Sequence, residues 1–202
     1  FLMRQHLSTP FRFFYQPLYN MPEKGAVLDW LKITAAFLMV IDHVNTIFLG
    51  ADFYVWLIGR IVFPVFVLIS AIHIGRGIDT KKYLLKLLPF ALISQVPYFF
   101  AQWGAVYEYD LSHVTLNIIF TIGFGVLLAK YLFEKQVNPM FVFLVAFLYW
   151  VSGLPDGLEY GSMGLILPYS FYCVFKQRKY APILLFLNLC FLNLTPHDFV
   201  AF

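Results

Sequence analysis

Seven apolar runs separated by short polar loops constrain this chain more than any other feature. They lie at about 26–49, 53–75, 81–103, 113–133, 138–152, 160–176 and 180–195. A helix needs ~20 predominantly apolar residues to cross a bilayer, and the first four runs are that long. The last three are shorter, which suits helices that tilt little or pack inside a bundle. Of the 202 residues, 61% are hydrophobic and 12% charged, against ~25% charged in a soluble domain. The sequence therefore predicts an all-α, polytopic transmembrane bundle of about seven helices. No repeat or linker divides it, so residues 26–202 read as one membrane domain. Residues 1–25 mix aromatics, prolines and arginine and read as a lead along the cytoplasmic headgroups.

Loop charges set the orientation. Arg4, Arg12 and Lys24 precede the first run, and Asp52 follows it. Arg76, Asp79, Lys81 and Lys82 follow the second, and Glu108 and Asp110 the third. Lys130, Glu134 and Lys135 mark the next loop, Asp156 and Glu159 the one after, then Lys176, Arg178 and Lys179, and finally Asp198. Basic loops stay in the cytoplasm, so the N-terminus is inside and the C-terminal end outside. The net charge of +3 follows from this pattern, and no basic run suits nucleic acid. Cys173 and Cys190 sit in apolar runs and read as small buried hydrophobes; no zinc-ligand spacing occurs.

Asp42 and His43 in "LMVIDHVNTIF" and Arg60 in "WLIGRIVFPVF" are ionisable residues set deep in the first two apolar runs. At 1.5 Å per residue, His43 and Arg60 each lie about 10 Å below the outer ends of two antiparallel neighbours. The trio therefore shares one level of the membrane. Ser94, Gln95, Tyr98, Thr115, Asn117, Glu159, Tyr160 and Ser162 fall in the same half. Pro64 and Pro97 deny a helical donor to the carbonyls of Arg60 and Ile93. Such gaps at membrane depth require protein or a wet cavity to receive them. An ionisable residue in a membrane is by default a functional candidate, although an Asp–Arg pair can also be purely structural. A carboxylate beside an imidazole suits general-base chemistry. Adjacent helical residues point ~100° apart, so Asp42 either tunes His43 or holds Arg60. In the cytoplasmic half, His73, Arg76, Lys81 and Lys82 form a basic rim that suits a polyphosphate, or serves as topology charge alone. Lys32 reads as a snorkelling residue.

The motifs K-x-x-A-x-x-x-M-x-x-D-H from Lys32, G-R-x-x-F-P-x-F from Gly59 and S-Q-x-P-Y from Ser94 resemble the TraX family. "TLN" at 115–117 and "YGSMGLIL" at 160–167 add weaker matches. That family is named for the plasmid-encoded enzyme that acetylates the N-terminus of F-type conjugative pilin. The resemblance implies a polytopic acyltransferase of the bacterial inner membrane that takes acyl groups from cytoplasmic acetyl-CoA. His43 matches the family's histidine and Arg60 its arginine.

The expected chemistry follows. Acetyl-CoA sets its phosphates near Arg76, Lys81, Lys82 and His73. His43 takes a proton from an incoming amine or hydroxyl, Asp42 tunes His43 or holds Arg60, and Arg60 with Asn117 polarises the thioester carbonyl. The acceptor is a pilin or another envelope molecule. A transporter or a non-catalytic assembly factor are the alternatives, and a tunnel from the basic rim to His43 distinguishes the enzyme from both. The charge pattern makes a first prediction: a cysteine at position 109 reacts with a membrane-impermeant maleimide from the periplasm, and one at position 178 only after the cytoplasmic side is opened. The reverse labelling would invert the depth argument.

Overall fold

The computed structural model describes residues 26–48, 53–105, 115–152 and 157–192. The lead at 1–25, the C-terminal tail and the loops carrying Asp52, Glu108, Asp110 and Asp156 lie outside the described residues. Among the described residues the chain is all-helical, with seven helices. They are α1 (Ala26–Phe48), α2 (Phe53–Gly75), α3 (Thr80–Ala105), α4 (Ile118–Glu134), α5 (Pro139–Ser152), α6 (Gly161–Phe175) and α7 (Ala181–Leu192). Each matches one apolar run. By length and composition, α2 and α3 suffice to cross a membrane, whereas α5, α6 and α7 are apolar but have only 14, 15 and 12 residues.

The largest difference from the sequence expectation is at α4, which starts at Ile118 rather than near 113. Asn117 sets the boundary: its backbone is extended (ψ 168°) and its side chain accepts from the Ile119 N–H, a helix N-cap. The residues just before it are not helical, and Leu116 forms an isolated bridge with Leu158. The opposite ends of α2, α4 and α6 share one cap. After α4, Val137 N–H bonds Leu132 C=O (3.0 Å) and Gln136 N–H bonds Phe133 C=O (3.0 Å), with Gln136 left-handed at φ 53°. Gly77 and Gln177 take the same place after α2 and α6. This pairing satisfies carbonyls that the helix leaves open.

α6 is the centre of the core. Nearly all of it is buried, and α2, α4, α5 and α7 pack around it. Phe63 and Val67 from α2, Val126 and Ala129 from α4, and Leu167 and Cys173 from α6 form its interior. Polar ties fix the packing: Tyr169 Oη donates to Val137 C=O (2.7 Å) and Asn188 Nδ2 to Ser170 Oγ (3.1 Å). By contrast α1 packs on α2, and α3 on α4. A cleft is left between these two pairs.

α4 and α6 cross closely at Gly125. A Cβ there would sit 2.8 Å from the Leu165 carbonyl oxygen and 2.8 Å from Pro168 Cγ. Backbone cannot yield as a flexible side chain does, so Gly125→Val should cost about 1–3 kcal/mol, the usual range for overpacking. Thermal unfolding in detergent should fall accordingly. An unchanged midpoint would mean that α4 and α6 do not cross this closely.

Candidate active site

The site begins where α1 meets α2. Leu28, Ala35 and Asp42 recur at seven-residue spacing and so share one helix face. Leu28 and Ala35 are buried, and Asp42 is half-buried. Asp42 lies directly on the bare backbone of Gly59: a Cβ at Gly59 would be 2.8 Å from Asp42 Cβ and closer still to the carboxylate. The glycine of the G-R pair is thus the seat of the aspartate, and Arg60 follows it immediately.

His43, one residue on, turns away from this contact into the cleft. Its Nδ1 lies 2.9 Å from Met39 C=O. A carbonyl can only accept, so Nδ1 carries the proton and Nε2 is the basic nitrogen of the neutral ring. Asp42 Oδ2 is 3.8 Å from Nδ1, near enough to stabilise an imidazolium without taking the hydrogen bond. Arg60 acts electrostatically on Asp42 as well. Asp42 therefore stands between both partners that the sequence left open.

The second wall is the α3–α4 seam. Gln95 clamps the chain before α4 at two points: its Nε2 donates to Thr115 C=O (3.0 Å), and its Oε1 accepts from Asn117 N–H (2.9 Å). Asn117 Nδ2 donates to Ala91 C=O (2.9 Å) and Ser94 Oγ (3.1 Å), while its Oδ1 caps Ile119 N–H at 3.0 Å. Every polar atom of this buried amide is engaged. Asn117 is a girder joining α3 to α4, and its expected role in polarising a carbonyl gives way to that.

The third wall is the turn before α6. Leu116 N–H donates to Gly157 C=O (2.8 Å), Glu159 N–H to Leu116 C=O (3.0 Å), and Thr121 Oγ1 to Glu159 C=O (2.8 Å). Tyr160 and Gly161 are both left-handed, at φ 64° and 53°. A tyrosine in that region is strained, and such strain clusters at functional sites. The Tyr160 ring stacks on Phe63 with centroids 4.2 Å apart, and Arg60 lies over it at 5.8 Å. Gly164 leaves room for this, since a Cβ there would be 2.6 Å from Tyr160 Cβ.

The turn delivers Glu159 to the chamber. Tyr98 Oη and Ile118 N–H bond its carboxyl, and His43 and Arg60 act on it electrostatically. Burial pushes the carboxyl above the usual carboxylate range, and its cationic and hydrogen-bonding neighbours only partly offset that. Sequence reasoning placed Glu159, Tyr160 and Tyr98 in the right half of the protein without giving them a role. The available signal was an acid followed by Tyr-Gly at the very start of an apolar run.

A cavity of about 840 Å³ joins these walls. One end is lined by Lys32, His73 and Tyr83, the other by Asp42, His43, Tyr98 and Glu159. Lys32 and His43 are eleven residues apart on α1, about 16 Å along the axis. The wall between is mostly hydrocarbon, including Met39, Phe66, Ile69 and Leu87. Its inner polar feature is the Ser70 Oγ–Tyr83 Oη contact at 2.7 Å, beside His73. The rest of the expected basic rim falls elsewhere. Lys81 lines a separate groove of about 380 Å³ between α3 and α4, and Lys82 is exposed on the first turn of α3, where Asp79 caps both their N–H groups. Arg76 is half-buried and lines neither space.

Asp42 and His43 of D-H, Gly59 of G-R, and Ser94, Pro97 and Tyr98 of S-Q-x-P-Y line one cavity, with Arg60 beside it over the Tyr160 ring, and this agrees with a comparison of the whole chain. The family described as "TraX protein" matches residues 27–201. The chain belongs to the TraX family. The match extends through α4 to α7, well past the motifs that first suggested it. A TraX relative, "Protein TraX" of Escherichia coli, is 26% identical over 169 residues, which is 83% of this chain and 64% of that protein. The chain thus spans just under two thirds of that relative's length. No solved structure matches.

The Asp42–Gly59 contact makes a specific prediction. Gly59→Ala should lower the detergent unfolding temperature, by about 1–3 kcal/mol of overpacking. Asp42→Ala alone should also destabilise, by unpairing Arg60, but the double variant should lose less than the two single losses combined, because the carboxylate that meets the new Cβ is gone. Additive losses in the double variant would show that the clash lies elsewhere.

Proposed function

We propose that this TraX-family chain is a multi-pass protein of the bacterial inner membrane, N-terminus inside and C-terminal end outside. It would move an acetyl group from cytoplasmic acetyl-CoA to an acceptor at the outer face. The first candidate acceptor is the N-terminal amine of a pilin. The observation that carries this reading is the cavity joining the Lys32–His73 end to the His43 chamber. A passage of this kind supports a transferase over an assembly factor, and of the expected basic rim His73 alone lines it. Membrane placement is supported by outward apolar faces on α1 and α3, where Phe37 is 64% and Ile93 71% exposed. Faces of that size are unstable in water.

In this reading the phosphates of acetyl-CoA lie at the inner mouth of the cavity by Lys32 and His73, and the thioester arm runs along the hydrocarbon wall toward His43. His43 Nε2 accepts the proton of the attacking amine or hydroxyl. Asp42 stabilises the resulting imidazolium from the Nδ1 side. Arg60 faces the oxyanion as the carbonyl becomes tetrahedral. A fixed cation in a dry chamber is worth more there than in water, because no solvent must reorganise. The aromatic and aliphatic walls keep water from the thioester.

The test is purified protein in liposomes, supplied with inner-membrane acceptors and isotopically labelled acetyl-CoA, with products read by mass spectrometry. His43→Ala should lower transfer by ~10²–10⁴, the usual cost of a lost general base, with folding unchanged. Asp42→Asn should lower transfer and stability together, since Arg60 would lose a carboxylate partner. Full transfer by His43→Ala, or solute movement without acetylation, would reject the transferase reading.

A further inference from the structure

The proposed chemistry assigns a base but no acid, and the chamber holds a carboxyl group that it does not use. We propose that Glu159 is the general acid that protonates the departing thiol, opposite His43 as the base. The inference rests on the transferase reading and goes beyond it.

Geometry separates the two carboxylates of the chamber. Asp42 is wedged on Gly59 and lies on the Nδ1 side of His43, away from the basic nitrogen. Glu159 belongs to a different element, the turn before α6, and lines the same end of the cavity as His43. Its backbone is fixed on both sides, by Leu116 and by Thr121. Two left-handed residues follow it directly. A solvent-facing acid would not need such construction. The groups facing its carboxyl are His43 from α1, Arg60 from α2, Tyr98 from α3 and the Ile118 N–H of α4. Tyr160, on its own turn, also interacts with it. Burial favours the protonated carboxyl, the form a general acid needs before turnover.

The step balances. The acceptor's N–H or O–H attacks the thioester carbon, and its proton passes to His43 Nε2. The tetrahedral oxyanion forms beside Arg60. Collapse breaks the C–S bond, and the sulfur takes the proton from Glu159. The products are the acetylated acceptor and a free thiol. Glu159 is then a carboxylate and His43 an imidazolium, and transfer of one proton from His43 to Glu159, directly or through water, restores both. No oxidant or further reactant is required.

The experiment compares donors whose leaving groups differ in their need for an acid. CoA leaves as an alkyl thiol, with a pKa of about 8.5 by analogy with cysteine. An S-aryl thioacetate leaves as a far more acidic thiol. Thiol release is followed with a thiol-reactive dye, using protein in liposomes and inner-membrane vesicles as the acceptor source. Glu159→Gln should lower kcat with acetyl-CoA by ~10²–10⁴ and leave KM within a few-fold. With the aryl donor the loss should shrink to under tenfold, while His43→Ala loses activity with both donors. A group that must hold a proton fails as pH rises, so the alkaline limb of the wild-type kcat profile should also vanish in Glu159→Gln. That limb decides the matter if the aryl donor binds poorly. Equal losses with both donors and an unchanged limb would make Glu159 a structural residue and overturn the proposal. If wild-type protein transfers nothing from acetyl-CoA, the transferase reading itself fails, which is a distinct outcome.

Discussion

The contact of Asp42 with the bare backbone of Gly59 is the constraint on which the site depends. α1 finds its packing partner in α2, and an aspartate at that seam is costly unless it is seated and paired. The seat requires glycine, because any Cβ would occupy the carboxylate's space. Once Asp42 is fixed, the ~100° step of the helix aims His43 into the cleft. The Met39 carbonyl then chooses its tautomer. Arg60 follows Gly59 in the chain and so arrives at the same level. Three ionisable side chains thus take their places from one steric allowance, and "D-H" with "G-R" forms a single device spread over two helices.

Much of the fold was legible because its period and length are coarse signals. Each of the seven apolar runs became a helix, with most ends within a few residues. The 1.5 Å rise and the short α1–α2 turn were enough to bring Asp42, His43 and Arg60 together. Legibility failed where local hydrogen bonding overrides hydropathy. The start of α4 is such a case: hydropathy admits residues 113–117, but the Asn117 cap and the Leu116–Leu158 bridge hold the end of that stretch out of the helix. The misjudged role of Asn117 has the same origin. From sequence it is an amide at the right depth; in the fold its donors and acceptor are consumed by α3 and α4.

The basic residues illustrate a second limit. Arg76, Lys81 and Lys82 follow α2 within a few positions, and proximity in sequence suggested one rim. α3, however, leaves the turn to pack on α4 rather than on α2. Lys81 therefore faces a different groove from His73. A turn of four residues can separate neighbouring charges onto opposite sides of a helix, and no hydropathy pattern encodes which side. Lys32 shows the converse, since its place on α1 brings it to the inner end of the main cavity.

The chamber also explains why its acids are held so differently. Asp42 is set by side-chain packing, so its position depends on α1 keeping its place on α2. Glu159 is set by hydrogen bonds to its backbone from two segments and by the left-handed pair that follows it. A group that only balances charge tolerates small shifts, because Coulomb energy changes slowly with distance. A group that must deliver a proton does not, because transfer requires hydrogen-bond contact. The more rigidly built carboxyl is the one with no counter-charge duty at the α1–α2 seam. That difference in rigidity is what the proposed roles, a balancing carboxylate and a proton donor, require.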